Sequence, residues 1–530
     1  MSRLATCLLV LFIILTRAAL PELDPPYLSF SRGEYTDPGF YLNNARSLVL
    51  TGEPLVGDWD NRVLFPVTHA LVWLAWSLFG YAPAVTAGLC ALLAALTGIL
   101  LATGLARHAG PRAGVLALLW FAVAAPLLLL GRVPLLENTL LPLFAALLIV
   151  RLQPATVRRH LLLLVLVLLA TAAKYSALFI LPALAIVSLA EWRRNRHALA
   201  GEGCWFWLPL ALLLLAAAGI VIAVRPPALL ATFADKMTRY DHPQFGLHEL
   251  LLPVESNFFW RMPFLTLSAW LAAGLLFWQR SVASRLQLLA GCSLAAWYLS
   301  IVFIRYNPLR YQLVTAPFLI ALAVTLWLPR RSFAPRPVAW FRLLAWFAVS
   351  TVTAYSAMFV GCRSLLNIAA TRGQLLAVAA AFGAFSLALA PVLRRWRWSP
   401  TPATLTLLMF GILTVNGLQT AQAWQARDNR LAVIGSELAR LVPPDATIGG
   451  WYAPSVNLHN RLRTYTTYHL TPECIARQQI GFLLLETAGP GAEPYILAGE
   501  LAPLRGRLVR LGDWAIPRTR IQLGLFAVRP

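Results

Sequence analysis

Residues 161–190 read LLLLVLVLLATAAKYSALFILPALAIVSLA, with Lys174 as the single charge except for what flanks them. A bilayer's hydrocarbon core takes about 20 residues of apolar helix, so this stretch is too apolar for water and too long for one upright span. An ionised lysine costs on the order of 3 kcal/mol at the bilayer centre. The stretch reads either as one long bent span or as two, over 161–173 and 175–190, broken at Lys174; a single span would put Arg193, Arg194 and Arg196 on the wrong side of the membrane, so charge favours the break.

On both sides the same composition continues. Of the 530 residues 59% are hydrophobic and 12% charged, with a mean hydropathy of +0.67. Apolar runs recur from Leu4 to Thr420, whereas Ala423 to Pro530 has ordinary water-soluble composition, with 12 arginines against 8 acidic residues. The fold class expected is an α-helical polytopic membrane protein with a small C-terminal α/β domain. The transmembrane unit occupies 1–422, with a first outer loop and juxtamembrane helices over 20–82, and the soluble unit 423–530. The net charge of +22 does not point to nucleic acid, because the basic residues lie in short clusters between apolar runs and not along a soluble face interleaved with aromatics. Six scattered cysteines and eight histidines show no metal-ligand spacing. Neither GxxxxGK[ST] nor a GxGxxG following a strand occurs.

Charge sets the topology. If Leu64–Gly80, with Trp73 and Trp76, lies along the interface, spans fall near 4–19, 83–105, 113–131, 134–150, 161–173, 175–190, 205–224, 263–278, 286–304, 311–328, 341–360, 373–392 and 403–422. That makes thirteen. The inside loops then hold 18 basic residues and only two acidic ones, Glu191 and Glu202, as the positive-inside rule requires. The N-terminus is expected in the cytoplasm and the C-terminal domain outside the plasma (inner) membrane, periplasmic or extracellular.

The first outer loop contains Gly33-Glu34-Tyr35-Thr36-Asp37-Pro38-Gly39-Phe40-Tyr41, a helix-like run ending at Gly52, with Asp58 and Asp60 beyond. Asp37 followed by Pro38 reads as an N-cap and first helical residue, and it also leaves a carboxylate at the membrane surface. The cations placed near that surface are Arg132, Lys174, Lys236, Arg239, Arg305 and Arg310. Only two of the 44 basic residues are lysines, Lys174 and Lys236, and both fall at the outer face, where a lipid phosphate would lie. Arg132 with Glu137 reads equally as a loop ion pair, and Arg310-Tyr311 equally as an interfacial anchor.

These motifs resemble the GT-C glycosyltransferases that use polyprenyl-phosphate sugars, among them protein O-mannosyltransferases and the lipid A aminoarabinose transferase. The resemblance is carried by Asp37-Pro38-Gly39-Phe40-Tyr41 with Asn44-Ala45-Arg46 and Gly52, by Asp58-Trp59 and Pro66, by Gly131-Arg132 and Glu137, by Ala173-Lys174-Tyr175-Ser176, and by Arg310-Tyr311. It implies an inverting glycosyltransferase moving a sugar from a polyprenyl-phosphate carrier to a hydroxyl of a lipid, glycan or protein at the outer face. Asp37 would be the base. Lys174, Arg310, Arg132, Lys236 and Arg239 would face the donor phosphate, and Glu34, Tyr41, Asp58, Glu137 and Tyr311 would support them. Pro38 stands where relatives carry a second acidic residue, so a divalent cation is left open as a cofactor. The rival class is a multi-pass transporter or lipid flippase, which would show repeated halves and broken or charged helices at mid-membrane; no clear halves are visible here.

In the tail, residues 431–441 suit an amphipathic helix, and 445–450, 464–468, 481–487 and 521–528 suit strands.

Overall fold

The structure is a computed structural model that describes residues 3–26, 28, 33–57, 59–192, 201–224, 261–280, 284–302, 309–328, 334–335, 338–360, 369–395, 401–467, 470–488, 501–517, 519 and 521–529. Each apolar run expected to span is helical. The first elements are α1 (Arg3–Ala18), α2 (Gly33–Thr51), α3 (Asn61–Leu64), α4 (Pro66–Phe79), α5 (Pro83–Ala109), α6 (Pro111–Val123), α7 (Ala125–Leu130), α8 (Leu136–Leu152), α9 (Val157–Ala173) and α10 (Ile180–Trp192). Further helices follow at Leu208–Val224, Pro263–Trp278, Ser284–Val302, Ala316–Val324, Trp340–Val360, Arg372–Ala388 and Pro402–Gln425.

Among the described residues five helical stretches are both long and apolar enough to cross a bilayer: Pro83–Ala109, Tyr175–Trp192, Leu309–Trp327, Arg372–Arg395 and Pro402–Leu441. Others expected to span are shorter or interrupted: α6 stops at Ala124, ahead of Pro126, which cannot donate to an ongoing helix. Outward-facing side chains are apolar, Leu407 and Phe410 each being 70% exposed, as hydrocarbon solvent allows and water would penalise. The chain is an integral membrane protein.

The break at Lys174 is present. α9 ends there with Lys174 extended, and a 3-10 turn, Tyr175–Phe179, leads into α10. The N-cap expectation for Asp37 is corrected: α2 begins four residues earlier, at Gly33, and Pro38 lies inside it. Gly52 does follow the helix end, with φ +77°, a conformation that suits glycine.

The membrane-side loops carry a two-residue antiparallel pair, β1 (Gln279–Arg280) with β2 (Ala334–Pro335). The tail forms a five-stranded mixed sheet from β3 (Thr447–Gly449), β4 (Arg463–Thr464), β5 (Ile480–Ala488), β6 (Leu508–Ala515) and β7 (Gln522–Val528), in the order β4-β3-β5-β7-β6. β3 runs parallel to β4 and β5, and β7 antiparallel to β5 and β6. The expected amphipathic helix spans Arg430–Leu441 and buries Leu431, Ile434 and Leu438 against the sheet. β6 was not among the expected strands; its burial alternates poorly at the sheet edge, so no clean period-2 pattern marks it.

What positions the site is the place of α2. Tyr35 belongs to the core of the C-terminal unit, while Phe40 and Tyr41 belong to the core of the helical unit. The helix is thus gripped from both sides. Arg46, 1% exposed, donates to the carbonyls of Asn460 and Leu462 at 2.9 and 2.8 Å, and Asn43 donates to the Thr464 carbonyl at 2.9 Å. Gly39 meets Ser455 so closely that a Cβ there would sit 2.1 Å from the Ser455 nitrogen. The first loop and the C-terminal unit therefore share one face of the molecule.

Candidate active site

Asp37 sits in the second turn of α2. Tyr41, one turn on, donates its hydroxyl to Asp37 Oδ2 at 2.9 Å, the i, i+4 spacing that brings two helical side chains together. Arg310, on the 3-10 segment Leu309–Thr315, reaches the same oxygen at 2.5 Å. Burial, and then the Asp37 carboxylate, hold the Tyr41 hydroxyl well above its ordinary value of 10. Tyr41 is therefore a fixed donor to Asp37 at physiological pH.

A second pair lies beside the first. Lys174, at the break between α9 and the turn, forms an ion pair with Glu137 at the start of α8. Its ammonium lies 4.0 Å from the centroid of the Tyr311 ring, and the Arg310 guanidinium carbon lies 5.0 Å from the same ring. Two cations thus converge on one aromatic ring, each paired with a carboxylate. Such convergence costs like-charge repulsion unless anions balance it. Glu137 Oε2 is buried with no hydrogen-bond partner among the described residues.

An aromatic wall adjoins the cluster. Tyr41 stacks on Trp59 and meets Phe65 edge-on at 5.7 Å, and Phe65 stacks on Tyr175 at 6.3 Å. Asn61 fixes this corner by donating to the carbonyls of Phe40 and Tyr41 at 2.6 and 3.0 Å, and its backbone N–H donates to Asn44 at 2.8 Å.

Six of the expected residues are brought together: Asp37, Tyr41, Glu137, Lys174, Arg310 and Tyr311. Two are directed elsewhere. Glu34 accepts from the Leu28 N–H at 2.8 Å and so ties down the start of the loop. Arg132 does not form the loop pair with Glu137 that was one of its two readings: Lys174 takes that carboxylate, and Arg132 donates instead to the carbonyls of Leu23, at 3.1 Å, and Asp24. Sequence proximity favoured a pairing that the fold replaces with a long-range one. Asp58, Lys236, Arg239 and Arg305 lie outside the described residues. Sequence reasoning missed Ser455, whose hydroxyl accepts from the Gly39 N–H at 3.1 Å and donates to the Thr36 carbonyl at 3.0 Å, bracketing Asp37. Nothing local marks a serine 416 residues from its partner.

Among the described residues the cluster does not make a donor set for a divalent cation. Among the described residues no three acidic, histidine or cysteine side chains converge, and the two carboxylates of the cluster are each already bound to a cation.

No protein-family model matches the sequence, and no curated protein matches it. Solved structures do. The chain is similar to ArnT from Cupriavidus metallidurans bound to undecaprenyl phosphate, with a TM-score of 0.54 at 16% identity over 99% of this chain and 98% of that one. The apo state of the same ArnT gives 0.53 at 18% identity over 99% and 96%. The arabinofuranosyltransferase AftD from mycobacteria aligns at 0.45 and 16% identity, over all of this chain and 40% of that one. The ArnT likeness extends over nearly the whole of both chains, so the two share a fold.

Proposed function

We propose that the protein is an inverting glycosyltransferase that moves a sugar from a polyprenyl-phosphate carrier to a hydroxyl acceptor. The observation that carries this reading is the paired cluster: Asp37 on Arg310, Glu137 on Lys174, and both cations over Tyr311. An ArnT of the same fold has been captured with undecaprenyl phosphate, which supports a carrier of that chemical class here.

In this reading the donor phosphate, a phosphodiester carrying one negative charge, settles between Arg310 and Lys174 and competes with the carboxylates for them. Arg310 turning toward phosphate releases the Asp37 carboxylate. Asp37 then accepts the proton of the acceptor hydroxyl as its oxygen attacks the anomeric carbon, and the carbon–phosphate-oxygen bond breaks with inversion. The leaving polyprenyl phosphate gains a second negative charge as that bond breaks, and the two cations stabilise it most strongly at that moment. No general acid is required, because a phosphate is a weak base. The aromatic wall of Tyr41, Phe65 and Tyr175 suits a sugar ring or the first prenyl units.

We read the orientation from the loop charges: thirteen spans, N-terminus in the cytoplasm, and the Asp37 cluster with the C-terminal unit at the outer surface. The reading is tested by undecaprenyl phosphate binding to the purified protein in nanodiscs. Wild type should bind, and Lys174→Ala and Arg310→Gln should each weaken binding about tenfold or more. Unchanged affinity in both variants would contradict it.

A further inference from the structure

A cavity of about 70 Å³ lies where the first loop, the starts of α4's neighbour α5 and of the Gly131–Pro134 turn, and the C-terminal unit meet. Tyr35, Pro38 and Leu42 line it from α2. At 100° per residue these lie on a different face of the helix from Asp37 and Tyr41. The cavity thus opens on another face of α2 from the cluster described above, and Ser455, which brackets Asp37, lines it as well.

Two arginines line it. Arg17, fully buried, is held at the end of α1 by the Phe121 carbonyl at 3.1 Å and by the Ile13 carbonyl and Thr16 hydroxyl. Its Nε is buried with no hydrogen-bond partner among the described residues. Arg132 is fixed by the Leu23 and Asp24 carbonyls. Neither guanidinium has a carboxylate within ion-pair distance among the described residues, in contrast to Arg310 and Lys174. Carbonyl dipoles orient these cations without neutralising them, and a buried charge without a counter-ion costs several kcal/mol. His459 lines the same cavity, and burial holds its ring down at about 4, so it is neutral at physiological pH and can donate one N–H without adding charge. Burial likewise lowers Arg132, to about 10, and the Asp24 carboxylate, beyond ion-pair distance, offsets that only in part.

We propose that this cavity is a second anion site that takes a phosphate dianion, either a phosphomonoester headgroup or free phosphate, between Arg17 and Arg132. Two guanidiniums match two charges, and the planar fork of each matches phosphate oxygens. Leu20, 47% exposed, lines the cavity toward the surface. The inference does not depend on the transferase reading.

The test is inorganic phosphate binding to the full-length protein in phosphatidylcholine nanodiscs, by calorimetry and by the phosphate-induced rise in melting temperature. Arg310→Gln should retain saturable binding, while Arg132→Gln should weaken this class of site about tenfold or more. Arg17→Gln should do the same; if it fails to fold, Arg132→Gln, whose residue lies in a turn, decides alone. Displacement of phosphate by phosphatidic acid placed in the nanodisc supports the site with a lipid headgroup as its ligand, and retention supports it with free phosphate. Absence of saturable binding in both wild type and Arg310→Gln, or binding that Arg132→Gln leaves unchanged, overturns it. Should the transferase reading fail instead, Arg310→Gln would leave undecaprenyl phosphate binding intact and the Arg132 result would stand.

Discussion

The hairpin of α8 and α9 carries a charged cluster at each end, and the two are built differently. Glu137 and Lys174 stand at one end; Arg151 and Arg159 stand about 20 Å away at the other, judging from 14 or 15 residues at 1.5 Å each. At the second end Arg151 bridges Glu191 and Glu202 at 3.0 and 3.3 Å, and Arg159 bridges the same two at 3.5 and 3.0 Å. Ser188 and His160 close the network. Every charge there has two opposite neighbours, so removing one leaves the rest stranded. At the first end Lys174 pairs with Glu137 and Arg310 with Asp37, and the two pairs meet at the Tyr311 ring; in the proposed reaction either cation exchanges its carboxylate for the donor phosphate. A closed lattice holds helices together, whereas paired but exchangeable charges can bind and release a ligand.

This contrast can be broken by substitution. Arg159→Ala leaves the buried Glu202 and the partly buried Glu191 with one arginine and should destabilise the protein by about 3 kcal/mol, read as a lower melting temperature in detergent, with transfer per folded molecule unchanged. Lys174→Ala and Arg310→Gln should instead lower the rate of transfer per folded molecule by about 10²–10³; Lys174→Ala also strands the buried Glu137 carboxylate and should lower the melting temperature as well. If the two clusters responded alike, the distinction between latch and site would fail.

Much of this was legible in the sequence. The apolar runs of about 20 residues announce the helices, and Lys174 announces the break in residues 161–190, because no other single charge interrupts so long a run. Asp37, Glu137, Lys174 and Arg310 were legible as candidates because each is a charge beside a membrane segment. Their pairing was not: Glu137 is nearer in sequence to Arg132, and only the packing of α8 against α9 delivers it to Lys174. The start of α2 was misread because Pro38 is common at a first helical position, yet here the grip of Ser455 on Gly39 and Thr36 keeps it inside the helix. β6 escaped because its sequence, Leu508-Val509-Arg510-Leu511-Gly512-Asp513-Trp514-Ala515, carries no clean apolar–polar alternation.

Smaller effects sharpen the role of the C-terminal unit. Asp24 accepts from the backbone N–H groups of Arg430 and Leu431 at 2.9 and 3.0 Å, and burial raises its carboxyl from 3.8 to about 6. A raised carboxyl favours the protonated folded state. Its stabilising contribution is therefore complete below about pH 4 and lost as pH rises through about 6. Asp24→Asn should flatten that part of the stability profile, and a profile with unchanged slope would exclude Asp24 as its source. Ser455→Ala removes two hydrogen bonds at the Asp37 turn and should cost about 1–2 kcal/mol. Its transfer rate should fall a few-fold while the affinity for undecaprenyl phosphate stays put, since Ser455 touches α2 and not the cations.

The central claim is that Asp37 acts as the base of a sugar transfer, and comparative mass spectrometry of envelope lipids and glycans tests it most directly. Cells lacking the protein would be compared with cells restored by wild type and by Asp37→Asn. The account predicts a sugar-sized mass that disappears in the null, returns with wild type and stays absent with Asp37→Asn, although that variant is made and folded. Full return of the mass with Asp37→Asn would contradict it.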